Sequence, residues 1–564
     1  LPEDKATIAL NVDASRDGAL TPLKSFVNVK TDFPGSQYKT LFKYKTTAES
    51  SATTWWIASN QDVDFCKAQI VDDDYGWIYY VDNDNADNGS YYPLYDYSEN
   101  QGGGVKSNDV TYTGNFFIMG IDGRHSLGVP APQVKPTPQY TAPAEVDGLS
   151  QEFRSYVYTY VYKDGGREME SAPSPATESV GVYLTDNTSV TVEFTGKGTG
   201  APPFPSDYGA TQNAPVGMDV ANLYIRVYRS VGGGFFLVNT GGDIPYNSGS
   251  SYTDTTAAAD LGEELPSLTW GLPPKNLRGL TNMANGILAG FVGKTVYFCE
   301  PYIPHAWPIN YAVTVDSPIV GMAALDTTLV VLTQERPYFV QGSSPEYMTV
   351  VAGGIEQGCS SKRSIAVLNG EVYYVSPDGL VAVSPRGARI ITEQLFTRNQ
   401  WNSYFTASSV HGYSHDLKYF GFHDNGSFIY DVPTKSFTTS TIKAEAAFQD
   451  LSVDRLYVMY TNNDIVAWGE SSSNLQYTWK SKVFSMPSEV SFSCMQIEAE
   501  TYPIDYTLTM TGSDGTTTQS GTVTSRDMLR IKSVLARDWQ IEITGSGEVY
   551  NIALAQSGEE LASV

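Results

Sequence analysis

Three histidines, His411, His415 and His423, stand close together in a chain that holds only five. Imidazoles at that density are the usual makings of a transition-metal site or a general base. In strand register all three share parity, which predicts that they face one way. The segment spans two strands and a turn, however, and no cysteine or paired acid is placed to complete a metal shell. Packed or surface histidines are therefore the stronger expectation. A second place to look for chemistry is DNDNADNG, residues 82–89, where alternating carboxylates invite a calcium reading. A calcium loop of the EF-hand type wants a bidentate acid at its twelfth position, which here is Pro93, so a solvated turn is expected instead. Cys66, Cys299, Cys359 and Cys494 are scattered without CxxC or Cys/His spacing, which argues against zinc and for buried free thiols. No GxSxG sits in a strand-turn-helix setting. Carboxylate pairs for glycoside hydrolysis must stand ~5–9.5 Å apart, a separation that a sequence does not display. The residues point to no catalytic, metal or cofactor site and to no enzyme; they leave the binding residues unknown.

The elements that carry these residues repeat. Five polar turns each precede an apolar strand: Asn285-Gly286 before ILAGFV, Asp326-Thr327 before LVVLT, Asn369-Gly370 before EVYYVS, His415-Asp416 before LKYFGF, and Val453-Asp454 before LYVMY. The starting positions differ by 41, 43, 46 and 39 residues. A second strand follows across each next turn: KTVYFCE, RPYFVQG, GLVAVS, SFIYDV and DIVAWGE. Four-stranded propeller blades recur at ~40–45 residues, and this spacing predicts a propeller. The bland alternative is an irregular antiparallel sandwich with chance spacing. A solenoid of the same period would need helices or shorter strands.

Composition agrees with a nearly all-β chain. Thirty-eight Tyr, fifty Gly and thirty Pro in 564 residues favour strands and tight turns, and the length calls for three or four domains. A formal charge of −26 opposes non-specific binding to nucleic acid; it serves solubility or a surface that DNA passes without sticking. There is no run of eighteen apolar residues, and LPEDKATIAL lacks the basic and apolar regions of a signal peptide, so neither export nor a membrane anchor is expected. Residues 1–145 read as an N-terminal arm ending in VNVK, the first propeller strands, and a five-proline linker from 127. Residues 146–269 read as an inserted β-sandwich, with a hairpin turn at Lys163-Asp164-Gly165-Gly166 and an edge crossover, ESAPSP, whose prolines prevent pairing. Its Gly/Pro-rich loop, 196–217, is where contacts are expected. Residues 270–485 hold the main blades, and 486–564 a terminal β domain.

Several stretches are familiar in their order. DVDFCKAQIVDDDYGWIYYVDN, LGVPAP, YVYTYVYKDGGREMESAPSP, LYIRVYRSVGGGFFLV, TLVVLTQERPYFVQGSSPEYMT, SKRSIAVLNGEVYYVSPDGLVAV and WQIEITGSGEVYNIALAQSGEEL together resemble the tail nozzle, or tail tubular protein B, family of short-tailed bacteriophages. The resemblance runs from about Asp62 to Leu561. It implies a propeller with a fibronectin-III-like insertion and a C-terminal β domain, assembled as a hexamer beneath the portal and adaptor ring. Such a ring retains the genome and conducts DNA through its lumen without sequence-specific contacts. Adaptor, tail fibres or other tail proteins are the implied partners. The implied location is the virion, after synthesis in the host bacterial cytoplasm, and the family has no catalytic residues to carry across. A tail-tip or baseplate hub of a longer-tailed phage, and a glycan-binding or glycan-cleaving propeller, are the alternatives. A cell-surface adhesin would need an anchoring segment.

Overall fold

Each of the five polar turns closes the same kind of hairpin in the computed structural model, which describes residues 6–15, 18–31, 33, 37–45, 54–69, 77–82, 95–98, 116–120, 123–164, 166–194, 218–247 and 249–561. Asn285, Asp326, Asn369, Asp416 and Asp454 all adopt left-handed backbone, with φ between 47° and 62°. Asn and Asp tolerate that conformation because a short polar side chain bonds locally; at Asp416 the next residue, Leu417, is left-handed too, at φ 54°, which a leucine adopts only at a cost. At the first of them Gly286, also left-handed, leaves room for the Tyr302 ring, which any side chain there would strike.

Every turn joins the first and second of four neighbouring antiparallel strands, which form a sheet of their own in four cases and one end of a ten-stranded sheet at 411–440. The first four sheets, spanning 278–314, 319–352, 366–390 and 411–440, use consecutive strands. The fifth takes Ala446–Asp450, Arg455–Met459 and Ile465–Ala467 in order, then borrows its outer strand, Val27–Lys30, from the other end of the chain. These sheets have the strand order of propeller blades.

Contacts divide the chain into two units: Leu1–Phe42 with Glu335–Pro337 and Gly353–Val564, and Lys43–Gln334 with Tyr338–Ala352. In the first unit the middle strands are buried on both faces: Gly379–Ser384 and Gly426–Asp431 are buried at every residue. A strand covered on both faces reads as an apolar run rather than an alternation, which is why GLVAVS carries no polar stripe. Tyr373, Leu380, Trp401, Tyr419 and Phe428 form the core between two of these sheets, and Phe422, Val458 and Trp468 the next.

The expected N-terminal arm is built into the same unit. Ile8–Leu10 lies parallel to Ser436–Ser440 and antiparallel to Tyr477–Lys480, joining a repeat sheet to the C-terminal strands Ala536–Gly545, Ile504–Gly512 and Gly515–Val523. Asn11, left-handed at φ 57°, turns the arm; its amide donates to the Gln476 carbonyl at 2.9 Å and accepts from Ser440 Oγ at 2.8 Å. The terminal sheets share a core of Met495, Leu508, Trp539 and Ile543 with Val12 and Tyr477, so residues on both sides of the expected border at 486 belong to it.

The second unit holds the strands expected of an insertion. A five-stranded sheet (Arg167–Glu170, Tyr156–Asp164, Leu223–Val231, Gly234–Leu237, Ile244–Pro245) and a three-stranded one (Thr137–Gln139, Val190–Glu193, Ser251–Asp254) bury a common core of Tyr156, Tyr158, Tyr160, Val190, Val192 and Ile225. Two expectations need correction. The proline-rich stretch is not wholly a linker, since Thr137–Gln139 pairs with Val190–Glu193 and the domain begins before 146. ESAPSP does pair. Ser171, Ser174 and Thr177 each donate a backbone N–H to the carbonyl of Tyr160, Tyr158 and Tyr156, and each hydroxyl accepts the N–H of that same tyrosine. Hydroxyls at every third residue replace the acceptors of a regular strand, which lets Pro173 and Pro175 sit between them without leaving a donor unmet. Tyr156–Asp164 and Arg167–Glu170 pair antiparallel as the expected hairpin requires, with Asp164 opposite Arg167.

Candidate functional site

The turn at Asp416-Leu417 decides where the three histidines point. Facing residues of an antiparallel pair project to the same side of the sheet. His411 faces Phe422 and His415 faces Lys418, so odd positions of His411–His415 share a side with even positions of Lys418–His423. His423 therefore projects to the other face, and shared parity did not survive the hairpin. His411 is buried against Phe422, with ring centroids 5.5 Å apart, and its Nε2 donates to the Ala444 carbonyl at 3.0 Å. Burial, reinforced by the Arg363 charge, holds its imidazole well below the ordinary histidine value, so it is neutral. His423 packs on Phe405 and Phe428 and accepts the Asn425 N–H through Nδ1 at 3.2 Å; burial lowers it too. Among the described residues, no three His, Cys, Asp or Glu side chains are grouped to hold a metal.

His415 alone reaches a cleft, one of about 190 Å³, whose lining includes Asp13, Lys418, Asp431 and Trp468. Its Nδ1 is 3.7 Å from Asp454 Oδ1. The ammonium of Lys418, nearly buried, lies 3.0 Å from Asp13 and 3.6 Å from Asp416. Burial works to raise the Asp13 carboxyl, but Lys418 and the hydrogen bonds from Ser15 outweigh it and keep the acid below its usual value. Asp431 is spent on Thr434, accepting from both its N–H and its hydroxyl. The cleft clasps the N-terminal arm; its charged groups are held by one another, and none forms a nucleophile–base pair.

All four cysteines are free and buried. Burial pushes the Cys299 and Cys359 thiols up to about 12, which leaves them un-ionised and unreactive at neutral pH. Residues 83–89 of DNDNADNG and the loop 196–217 lie outside the described residues.

The densest charge cluster was not among the expected sites. On the outer face of the five-stranded sheet Arg226 makes a two-pronged contact with Asp243 at 2.8 and 3.0 Å and reaches Glu170 at 3.0 Å and Glu168 at 2.6 Å. Lys163 adds bonds to Asp243 and Glu168 at 2.7 and 3.2 Å. The inner face holds Arg229, fully buried, 2.8 Å from an equally buried Asp254, which also accepts from Tyr156 Oη at 2.8 Å. Arg154 lies 3.6 Å from the same carboxylate and pairs with Glu152. The signal in the sequence was two arginines inside an otherwise apolar strand, LYIRVYRSV, because a charge there needs a counter-ion. These groups are held by one another, and none is poised for proton transfer.

No protein-family model and no curated protein sequence matches the chain. Solved structures that it resembles include BamB from Moraxella catarrhalis, at 14% identity over 52% of this chain and 81% of that one, TM-score 0.25. The AfRom2 CNH domain is 11% identical over 59% and 98%, TM-score 0.23. The extracellular domain of the one component system BT4673 from B. thetaiotaomicron is 9% identical over 92% and 96%, TM-score 0.22. At such TM-scores neither an activity nor a partner passes to this chain from them.

Proposed function

We propose that this chain is a structural subunit of a bacteriophage tail, the nozzle: a β-propeller with a fibronectin-III-like insertion that assembles as a ring of six, retains the genome and conducts it during ejection. The observation that carries the reading is the way the chain ends are tied in. Val27–Lys30 completes a repeat sheet whose other strands lie beyond residue 445, and Ile8–Leu10 is held between two strands of the C-terminal half. Such long-range closure suits a subunit that must not unravel under load, because these two strands cannot peel away without breaking two sheets. The ordered motifs of the nozzle family support the same reading. So does the charge of −26, since an acidic wall repels phosphate and binds no passing duplex through counter-ion release.

The test is the native mass and image of the purified chain. A single species of six copies, ring-shaped and with an open bore, is the expected result. A stable monomer at micromolar concentration, or a two-fold dimer, refutes the nozzle assignment.

A further inference from the structure

The stretches that join the insertion to the rest of its unit, 129–133 and 270–275, wall a cleft of about 410 Å³ together with Glu170 and His305. That size is in the ordinary range of small-molecule sites. The walls are held in place. Trp307 donates its backbone N–H to the Gly271 carbonyl at 2.9 Å, and left-handed Gly128 lets Leu272 come so near that a Cβ would stand 2.7 Å from its methyl.

The lining combines an aromatic plate with a few polar groups. Val129 and Leu272 supply apolar surface; the Trp270 ring meets His305 edge-on, with centroids 5.5 Å apart at 85°. His305 Nε2 is buried and has no hydrogen-bond partner among the described residues. Burial lowers its imidazole to about 4, so the ring is neutral near pH 7 and brings no charge to an anion, while Lys275, the cation of the lining, is exposed and already has an interaction of its own. Glu170 is already saturated by Thr159, Tyr228 and Arg226 and is not available to a cation. Gln133, exposed, spends its amide N–H on Ala131 and keeps its carbonyl oxygen.

We propose that this cleft binds an uncharged sugar ring, its C–H face on Trp270 and its hydroxyls bonded to Gln133 and to the unpartnered nitrogen of His305. A hydroxyl both donates and accepts, so it serves either tautomer of that imidazole, while the pyranose face matches an indole plate. The site stands independently of the nozzle assignment, because it needs only the second unit.

Saturation-transfer NMR on the full-length chain, with methyl glucoside, galactoside, mannoside and N-acetylglucosaminide as probes, tests it. Transfer to the ring protons of at least one probe is expected. Affinity should fall about tenfold in Trp270→Ala, the scale of one lost aromatic contact, and similarly in His305→Phe, which keeps the ring packing and removes the nitrogen. Should Trp270→Ala fail to fold, His305→Phe and Gln133→Ala decide. No transfer to any of the four probes overturns the proposal, as does transfer that survives the substitutions unchanged.

Discussion

The tyrosine-rich sheet of the second unit and the repeat sheets of the other unit fill their strands differently. Gly379–Ser384 is buried throughout and meets its neighbours with Leu, Val and Ala. Tyr156–Asp164 is also buried through Tyr162, whereas Leu223–Val231 alternates buried with half-buried residues; both carry tyrosines, and the second two arginines, that need partners. The apolar solution is stabilised by transfer from water and close packing. The ionic solution roughly breaks even, since desolvating a guanidinium and a carboxylate offsets most of their attraction. What it adds is discrimination: a one-residue slip of LYIRVYRSV would separate Arg229 from Asp254 and Arg226 from Asp243 together.

The strongest way to break this contrast is Asp254→Ala. It leaves Arg229 buried without its counter-ion and Arg154 with Glu152 alone, and a loss of about 3–5 kcal/mol is expected by urea denaturation. The paired change Asp254→Leu with Arg229→Met should recover most of that loss; a pair as costly as the single would mean the ions themselves stabilise the fold. Next comes Leu380→Ala in a repeat sheet, fully buried, at about 2–4 kcal/mol from lost transfer and a residual cavity. Leu380→Met should cost under about 1.5 kcal/mol, because volume is nearly kept.

Acid should separate the two regions. His411 is held neutral in the fold, so below the unfolded value of about 6.5 the unfolded chain binds the extra proton and stability falls, by up to ~1.4 kcal/mol per pH unit. Asp243 behaves otherwise. Burial works to raise it, but hydrogen bonds from Arg226 and Lys163 prevail and lower it, so its contribution is full above about 3.9 and is lost only as pH falls through its folded value. Between pH 7 and 5, denaturation midpoints of the repeat sheets should drop, and His411→Gln should flatten that slope. A slope unchanged in His411→Gln would remove the histidine from the account. The smallest effect is expected at the exposed Lys135–Glu178 pair, where Glu178→Gln should leave the melting temperature unmoved within error.

Local chemistry determined a good deal. Five Asn and Asp residues at the repeat turns were readable because left-handed backbone is a property of the residue itself, and they mark the first hairpin of all five sheets. The apolar runs beside them were readable as buried strands, and the scattered cysteines as buried thiols. Partners distant along the chain were not. VNVK gave no sign that its neighbour would be Ile465–Ala467, because backbone pairing is indifferent to most side chains and depends on where both ends of a long chain arrive. Histidine direction failed for a related reason: parity holds along one strand, but the length of the next turn resets it. The pairing of ESAPSP was hidden because it uses hydroxyls in place of carbonyls, an exchange that takes shape only once Tyr156–Asp164 lies alongside. Turn residues and strand burial were thus written in the sequence by local energetics, whereas register, closure and the meeting of charges waited on tertiary structure, where contact between remote segments sets the energy.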